Sequence, residues 1–583
     1  MLRKELLKQA RGLEKADKVF KNAVIVDVFN ERLLENDIAV ADGIIIGIGD
    51  YQGKEEIDLG GRIVTPGLID AHLHIESSMT NVDEFARVII PRGTTTIVAD
   101  PHEIANVAGL TGIKYLLKAG NSQPWNFNLM LPSCVPASKF ENSGAELSAA
   151  DLRTLIDEKG IFGLGEVMDF QSVINGEPGI WDKIEMASDL FKDGHSPGLS
   201  EKDLNAYLLA GIKADHEATT AEEALEKVAK GMYIMIREGS VTRDLVSLLP
   251  AVNSSNSSRF LFATDDRHPG DLIKEGQIDF AVRKAIQYGL SPFRAVKMAT
   301  INAAEALGIE KLGAIAPGYK ADLLVFDNLR EFEVKKVYKD GRLVAEDGTL
   351  LKSIDDKISL DKEDFMNQEI EEKIFNSVKI GDISESDFRL PPAKKYRVIE
   401  LIKDQVVTGE SVYHTEAEYD DEPPAIELIG HNLVKLAVVE RHHKTGDVGL
   451  GLLRNFGLRR GAVATSIGHD AHNIIVAGVG AKDMEIAVRE IEKMKGGLVI
   501  VLNGKVEESL ALPVAGLMAV KSVKEVANRL NKMREIANGL GVNRDGPFMT
   551  LSFMALTVIP ELKLTDQGLF DVNKFEKVEL IIE

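Results

Sequence analysis

Two histidines stand one residue apart in "PGLIDAHLHIESSMT", residues 66–80. Side chains two apart on a strand point to one face, so His72 and His74 can reach a common point. Neutral imidazole nitrogen is a ligand for zinc, iron or manganese. A lone His-x-His pair also arises by chance on a loop or a half-buried strand, so the weight comes from residues further along the chain. Short apolar runs end, in order, at Asp100 and His102, Ser133, Glu166, His195, His216, Arg237 and Glu238, and Asp265 and Asp266. Of 12 histidines, six fall between 66 and 310, and five of those sit at such ends. Histidines scattered for solubility would not select those positions.

The set is large enough for two metals. His72, His74, His195 and His216 with Glu166 and Asp265 supply ligands for a pair of divalent ions about 3.5–4 Å apart. A carboxylate has two oxygens, which makes Glu166 the candidate bridge. Metal binding lowers the pKa of water from 15.7 toward about 7, so a hydroxide held between the ions is a nucleophile at neutral pH. Asp265 would ligate one ion, accept the hydroxide's proton and pass it to the leaving group. That is hydrolysis at an sp² carbon.

Such a set needs a scaffold that brings strand ends together. Eight candidate strands lie across 66–310: "IVTPGLIDAHLH", "TTTIVADPH", "NLMLPSC", "IFGLGEV", "FKDGHSP", "GIKADHE", "YIMIREGS" and "RFLFATDD". Helical stretches such as "AEEALEKVAKG" and "QIDFAVRKAIQYG" separate several of them. Alternation of strand and helix predicts a parallel sheet. Eight units in about 250 residues predict a (β/α)₈ TIM-like barrel, whose side chains converge at the C-terminal strand ends. Gly-, Asp- and Asn-broken apolar runs at 21–65 and 312–352 have β texture and read as two halves of one small β domain. The expected organisation is 1–65 in that small domain, 66–311 as the barrel, 312–360 returning to the small domain, 361–391 as linker or helical connector, and 392–583 as a C-terminal α/β domain.

Composition narrows the partners. The chain has 583 residues and a net charge of −22. Phosphate binding wants a basic face, so nucleic acid is excluded as a main partner, and so is an anionic membrane surface. One cysteine, Cys134, allows no intrachain disulfide and points to a reducing cytoplasm. The charged start lacks the apolar core of a signal peptide, and no run approaches the roughly 18 apolar residues of a membrane span. Cys134 carries no nucleophile signature, and the glycine runs fit no phosphate loop.

Several residues carry two readings. His102 either contacts substrate or shapes the metal pocket from behind. Glu76 reads a substrate edge, orients a histidine or pairs with an arginine. Glu238 is a candidate hydrogen-bond partner for a substrate nitrogen, whereas Arg237 is expected to pair with other charges. His469, Asp470 and His472 lie in "TSIGHDAHNIIVAG". They are expected to form a solvated polar turn or an interdomain contact rather than another metal site.

The order of these motifs carries a resemblance. "GLIDAHLH", Glu at the fourth strand, His at the fifth and sixth, Asp at the eighth and the trailing "MATINAAEALGI…LGAIAPGYKADLLVFD" resemble the amidohydrolase superfamily. "VADPHEIANV", "LGEVMDF", "DGHSPGL", "DHEATTAEEALEK", "MIREGS" and "TDDRHPGDL" are similar to its adenine deaminase family. The resemblance implies hydrolysis of adenine to hypoxanthine and ammonia in purine salvage. It implies a binuclear Mn²⁺ or Fe²⁺ site, with Zn²⁺ as an alternative, and suits a homo-oligomer. It carries His72, His74, Glu166, His195, His216 and Asp265 onto ligand positions. Water's oxygen would attack C6 while an acid protonates N1; Glu166 as bridge, as that acid, or as both stays open. Glu166 stands where many relatives carry a carbamylated lysine, which disfavours hydantoinase-like chemistry. The other zinc deaminase design needs a Pro-Cys-x-x-Cys that one cysteine does not supply. A binuclear hydrolase of another aminopurine or a cyclic amide is the alternative. A silent scaffold would be expected to lack one or more ligands.

Overall fold

The computed structural model describes residues 4–358, 366–403, 405–544 and 546–582. Part of the expected connector, 361–365, lies outside the described residues.

Eight parallel strands form the barrel among the described residues: β1 Leu68–Leu73, β2 Thr94–Ala99, β3 Asn126–Leu131, β4 Ile161–Val167, β5 Phe191–Gly194, β6 Ala214–Asp215, β7 Tyr233–Arg237 and β8 Phe260–Ala263. They pair in sequence order, in a five-stranded run and a three-stranded run. Backbone bonds close both seams. Lys213 N–H donates to Lys192 O at 3.1 Å, and Asp265 N–H donates to His72 O at 3.0 Å. Ile69, Ala71, Val98, Met130, Phe191, Ala214, Met235, Leu261 and Ala263 meet in one buried cluster. The interior is therefore a packed core rather than a pore. Ala303, Ala304 and Leu307 of the helix Ile301–Leu307 join that cluster.

Strand β1 carries a register irregularity between Asp70 and Leu73. Ile69 and Ala71 belong to the interior cluster, yet His72 and His74 reach the mouth. A bulge re-aims the side chains beyond it, which is how one strand serves both the core and the site.

The small β domain is a nine-stranded sheet. Its two halves join where Ile63–Pro66 pairs antiparallel with Leu323–Phe326. Among residues 366–391, Ile374 and Phe388 are fully buried, so this connector is docked along the body. The C-terminal region is built on an eight-stranded, mostly antiparallel sheet, with the helices Ala481–Met494 and Val523–Gly539. It clasps the barrel: Ala519 N–H donates to Met79 O at 2.8 Å, and Asn473 Nδ2–H donates to Asn142 O at 2.8 Å.

Candidate active site

The turn after each strand places its polar residue. Asp100, just past β2, organises three neighbours, two through its carboxylate and one through its backbone carbonyl. Its Oδ2 accepts Glu166 N–H at 2.8 Å, its Oδ1 accepts His102 N–H at 3.1 Å, and its carbonyl faces His74 Nδ1 at 3.1 Å. Asp193 of β5 does the same service for β1, with its Oδ2 at 2.8 Å from His72 Nδ1. A carbonyl and a carboxylate can only accept, so both rings carry their proton on Nδ1. Both Nε2 lone pairs are then bare, and they lie 3.3 Å apart.

Oxygens converge on the same point. Glu166 Oε1 and Asp265 Oδ1 each lie 3.3 Å from His74 Nε2. Asp265 Oδ1 is 3.7 Å from His72 Nε2. The second oxygen of Glu166 faces away, to His195 Nδ1 at 2.8 Å and His216 Nε2 at 3.3 Å. Two groups, His72–His74–Glu166 and Glu166–His195–His216, each hold their donor atoms within 4.8 Å of one another. Glu166 belongs to both. The six candidate ligands are thus brought together, all but His195 buried.

This donor set fits divalent metal. Facing lone pairs repel unless a cation lies between them, and one proton bridges only two atoms where four converge. The field has the right sign. Burial opposes charge on His72, but Asp193 and Asp265 raise it well above the ordinary imidazole range. Burial likewise opposes ionisation of Glu166, but His195, His216 and His74 hold it well below the usual carboxylate range.

The remaining candidates lie around this cluster. His102 Nδ1 lies 3.3 Å from Glu166 Oε1, inside the cluster. Glu76 comes after β1 and accepts Ile104 N–H at 3.1 Å. Its other oxygen is buried with no partner among the described residues, and burial pushes Glu76 up to about 7. Glu238 Oε1 takes Lys284 Nζ–H at 2.6 Å, and Arg243 lies 3.9 Å from it, so its ion pairs are with those bases rather than the histidines. Arg237 pairs with Glu217, Asp244 and Asp265. The turn at 469–472 is not solvated: His469, Asp470 and His472 are all buried, because Glu103 of the barrel pairs with both histidines. Sequence reasoning does not single out Asp193, Glu103 or Glu217. Asp193 stands two residues before His195, and Glu103 directly follows His102, so proximity to other candidates is the available signal.

Comparison with known proteins gives the lineage. Residues 63–344 match the Amidohydrolase family, and residues 405–576 match the Adenine deaminase C-terminal domain. A protein of Petrotoga mobilis named adenine deaminase is 54% identical over 582 residues, covering 100% of both chains. The chain belongs to the adenine deaminase family. Relatives of the same name from Clostridium acetobutylicum and Geobacillus kaustophilus are each 45% identical, over 98% and 96% of this chain and 99% and 96% of theirs. Membership of the amidohydrolase family implies a divalent metal, and the strand-end cluster is where this chain's donors for one converge. Among the described residues no helix is long and apolar enough to cross a membrane.

Proposed function

We propose that this chain hydrolyses adenine to hypoxanthine and ammonia, with His72, His74, Glu166, His195, His216 and Asp265 holding two divalent cations, Mn²⁺ or Fe²⁺ with Zn²⁺ as the alternative. The observation that carries the reading is Glu166, whose two oxygens face two separate pairs of histidines. The full-length likeness to proteins named adenine deaminase supports the substrate. Two bound divalent cations would lower the pKa of water toward about 7.

The chain's own groups then have defined tasks. Asp265 accepts the proton that water loses as its oxygen attacks C6, and delivers it to the departing N6 amine. Asp265 Oδ2 stays 3.1 Å from the Arg237 guanidinium, which fixes the carboxylate with Oδ1 toward the histidines. Glu166 holds the cations, or takes the other proton of water and delivers it to N1; both tasks place it at the centre. Asp100 and Asp193 fix the tautomers of His74 and His72. Glu76, His102 and Glu238 are proposed substrate-side residues. The C=N bond at C6 becomes a tetrahedral centre, the C–NH₂ bond breaks, and the products balance as hypoxanthine plus ammonia.

This reading places the enzyme in purine salvage, in the cytoplasm, as a homo-oligomer. It takes 1–65 with 312–360, 66–311 and 392–583 as its domains, with 361–391 connecting them. The test is ammonia release from adenine by protein loaded with Mn²⁺, or with Fe²⁺ without oxygen, against a chelated control. Metal-dependent ammonia with stoichiometric hypoxanthine is expected. A folded, metal-loaded chain that leaves adenine untouched overturns the substrate, and cyclic amides and other aminopurines are then the substrates to try.

A further inference from the structure

The C-terminal region sends one turn, 466–473, into the barrel mouth between the strands Ala462–Thr465 and Ile474–Gly478. Glu103, at the start of the helix His102–Asn121, anchors it. His469 Nδ1 lies 2.7 Å from Glu103 Oε1, and His472 Nε2 contacts Glu103 Oε2. Gly468 N–H donates to His472 Nδ1 at 3.2 Å. The proton of His472 is therefore on Nε2, facing Glu103, and this ring is a fastener with no lone pair left for a metal. The His469 ring stacks on Phe553 at 5.2 Å between centroids.

Three polar atoms on this fastened turn have no hydrogen-bond partner among the described residues, Asp470 Oδ2, His469 Nε2 and His472 Nε2, and of these His472 Nε2 is in ion-pair contact with Glu103, which leaves Asp470 Oδ2 and His469 Nε2. Both residues are buried, 3% and 6% exposed. A buried polar atom left alone has lost its water without replacement, so such atoms ask for a ligand. They are complementary. Burial raises Asp470 only to about 6, which leaves it an acceptor at neutral pH. Burial opposes charge on His469, but Glu103 raises it to about 9, which leaves Nε2–H a donor. Asp470 lies near enough to His102 and Glu166 to interact with them electrostatically, and His469 is fixed to Glu103, the chain neighbour of His102, so the turn lies beside the candidate centre.

A free purine base offers the matching edge. Away from C6, its five-membered ring side carries one N–H and adjacent unprotonated ring nitrogens. We propose that Asp470 and His469 are specificity-determining residues that read this edge, Asp470 Oδ2 accepting the ring N–H and His469 Nε2–H donating to a ring nitrogen. The C-terminal region then completes the substrate pocket, and a purine substituted at that nitrogen is rejected because Asp470 is left facing carbon. The inference rests on the purine reading above and adds the residues that recognise the base.

The test uses the full, metal-loaded chain and three forms: wild type, Asp470→Asn and Asp470→Ala. Adenine kinetics give KM and kcat. Competitive inhibition by purine and by 9-methylpurine gives the edge preference, and metal content and thermal midpoint are recorded for each. Wild type is expected to bind purine about tenfold or more tighter than 9-methylpurine, the cost of an unpaired buried acceptor. Asp470→Ala should erase that preference and raise KM about tenfold or more, with kcat and metal content much less affected. Equal binding of both inhibitors to wild type overturns the inference without any variant. So does an unchanged preference in Asp470→Asn and Asp470→Ala, or loss of metal as the sole effect. Failure of wild type to deaminate adenine overturns the substrate reading instead, and direct binding of purine and of 9-methylpurine by calorimetry then decides the edge.

Discussion

Asp193 Oδ2 sits 2.8 Å from His72 Nδ1, with both side chains buried. The pair spans β1 and β5, so the tautomer of one ring is set from across the barrel. Partners of this kind typically govern metal affinity by about 10–100-fold. Asp193→Asn keeps an acceptor oxygen but loses the charge. The variant should need about 10–100-fold more free Mn²⁺ for half-maximal activity, while its maximal rate recovers at saturation. Activity titrated in metal buffers reads this directly; a curve superimposable on wild type would show that Asp193 is not the orienting group.

Glu166 is the side chain on which both histidine groups depend. Glu166→Gln is nearly isosteric but replaces one oxygen with an amide that cannot ligate. Loss of adenine turnover by about 10³-fold or more is expected, with bound metal reduced and the circular dichroism spectrum retained. His72→Ala and Asp265→Asn should behave alike. Wild-type turnover in any of the three would remove that residue from the site.

Much of this is legible in sequence, for a physical reason. Parallel strands buried on both sides read as apolar runs, and residues at their ends have few structural reasons to be His, Glu or Asp. That is why all eight barrel strands, and the convergence of the six candidate ligands, can be anticipated. Strand β5 shows the limit. It spans only Phe191–Gly194, and half of it is Lys192 and Asp193. Its polar Asp193 looks like strand interior in sequence, and only closure of the barrel brings it to His72. The seating of His469 and His472 on Glu103 joins residues over 360 apart. Local pattern carries no such information, so the sequence leaves a solvated turn and an interdomain contact side by side, and the structure shows the contact.

Arg237 joins three carboxylates, from Glu217, Asp244 and Asp265, while itself buried. Removing one partner of a buried charge cluster typically costs about 3–5 kcal/mol, because the others are left uncompensated. Arg237→Met should lower the thermal midpoint clearly and also weaken turnover, since Asp265 loses its fixed orientation. Arg237→Lys, with a point charge in place of a fork, should recover stability in part and activity less. If Arg237→Met melts with wild type, the cluster is not holding the barrel mouth.

Lys563 gives a pH signature of its own. Its side chain is fully buried, and its Nζ–H groups donate to Val406 O and Phe553 O, both at 3.1 Å. Burial alone lowers it to about 7, against about 10.4 for an ordinary lysine. The folded state therefore releases this proton first. Between those two values the unfolded chain binds more protons, so the Lys563 contribution to stability rises with pH. Below about 7 the cost is fully present, on the order of 4 kcal/mol. Lys563→Met removes the titration but keeps the volume. Relative to wild type, the variant should be most favoured at pH 7 and lose that advantage by about 1–3 kcal/mol as the pH rises to about 9. Thermal midpoints of both proteins across that range check it; a difference independent of pH would show that Lys563 is not buried with its charge.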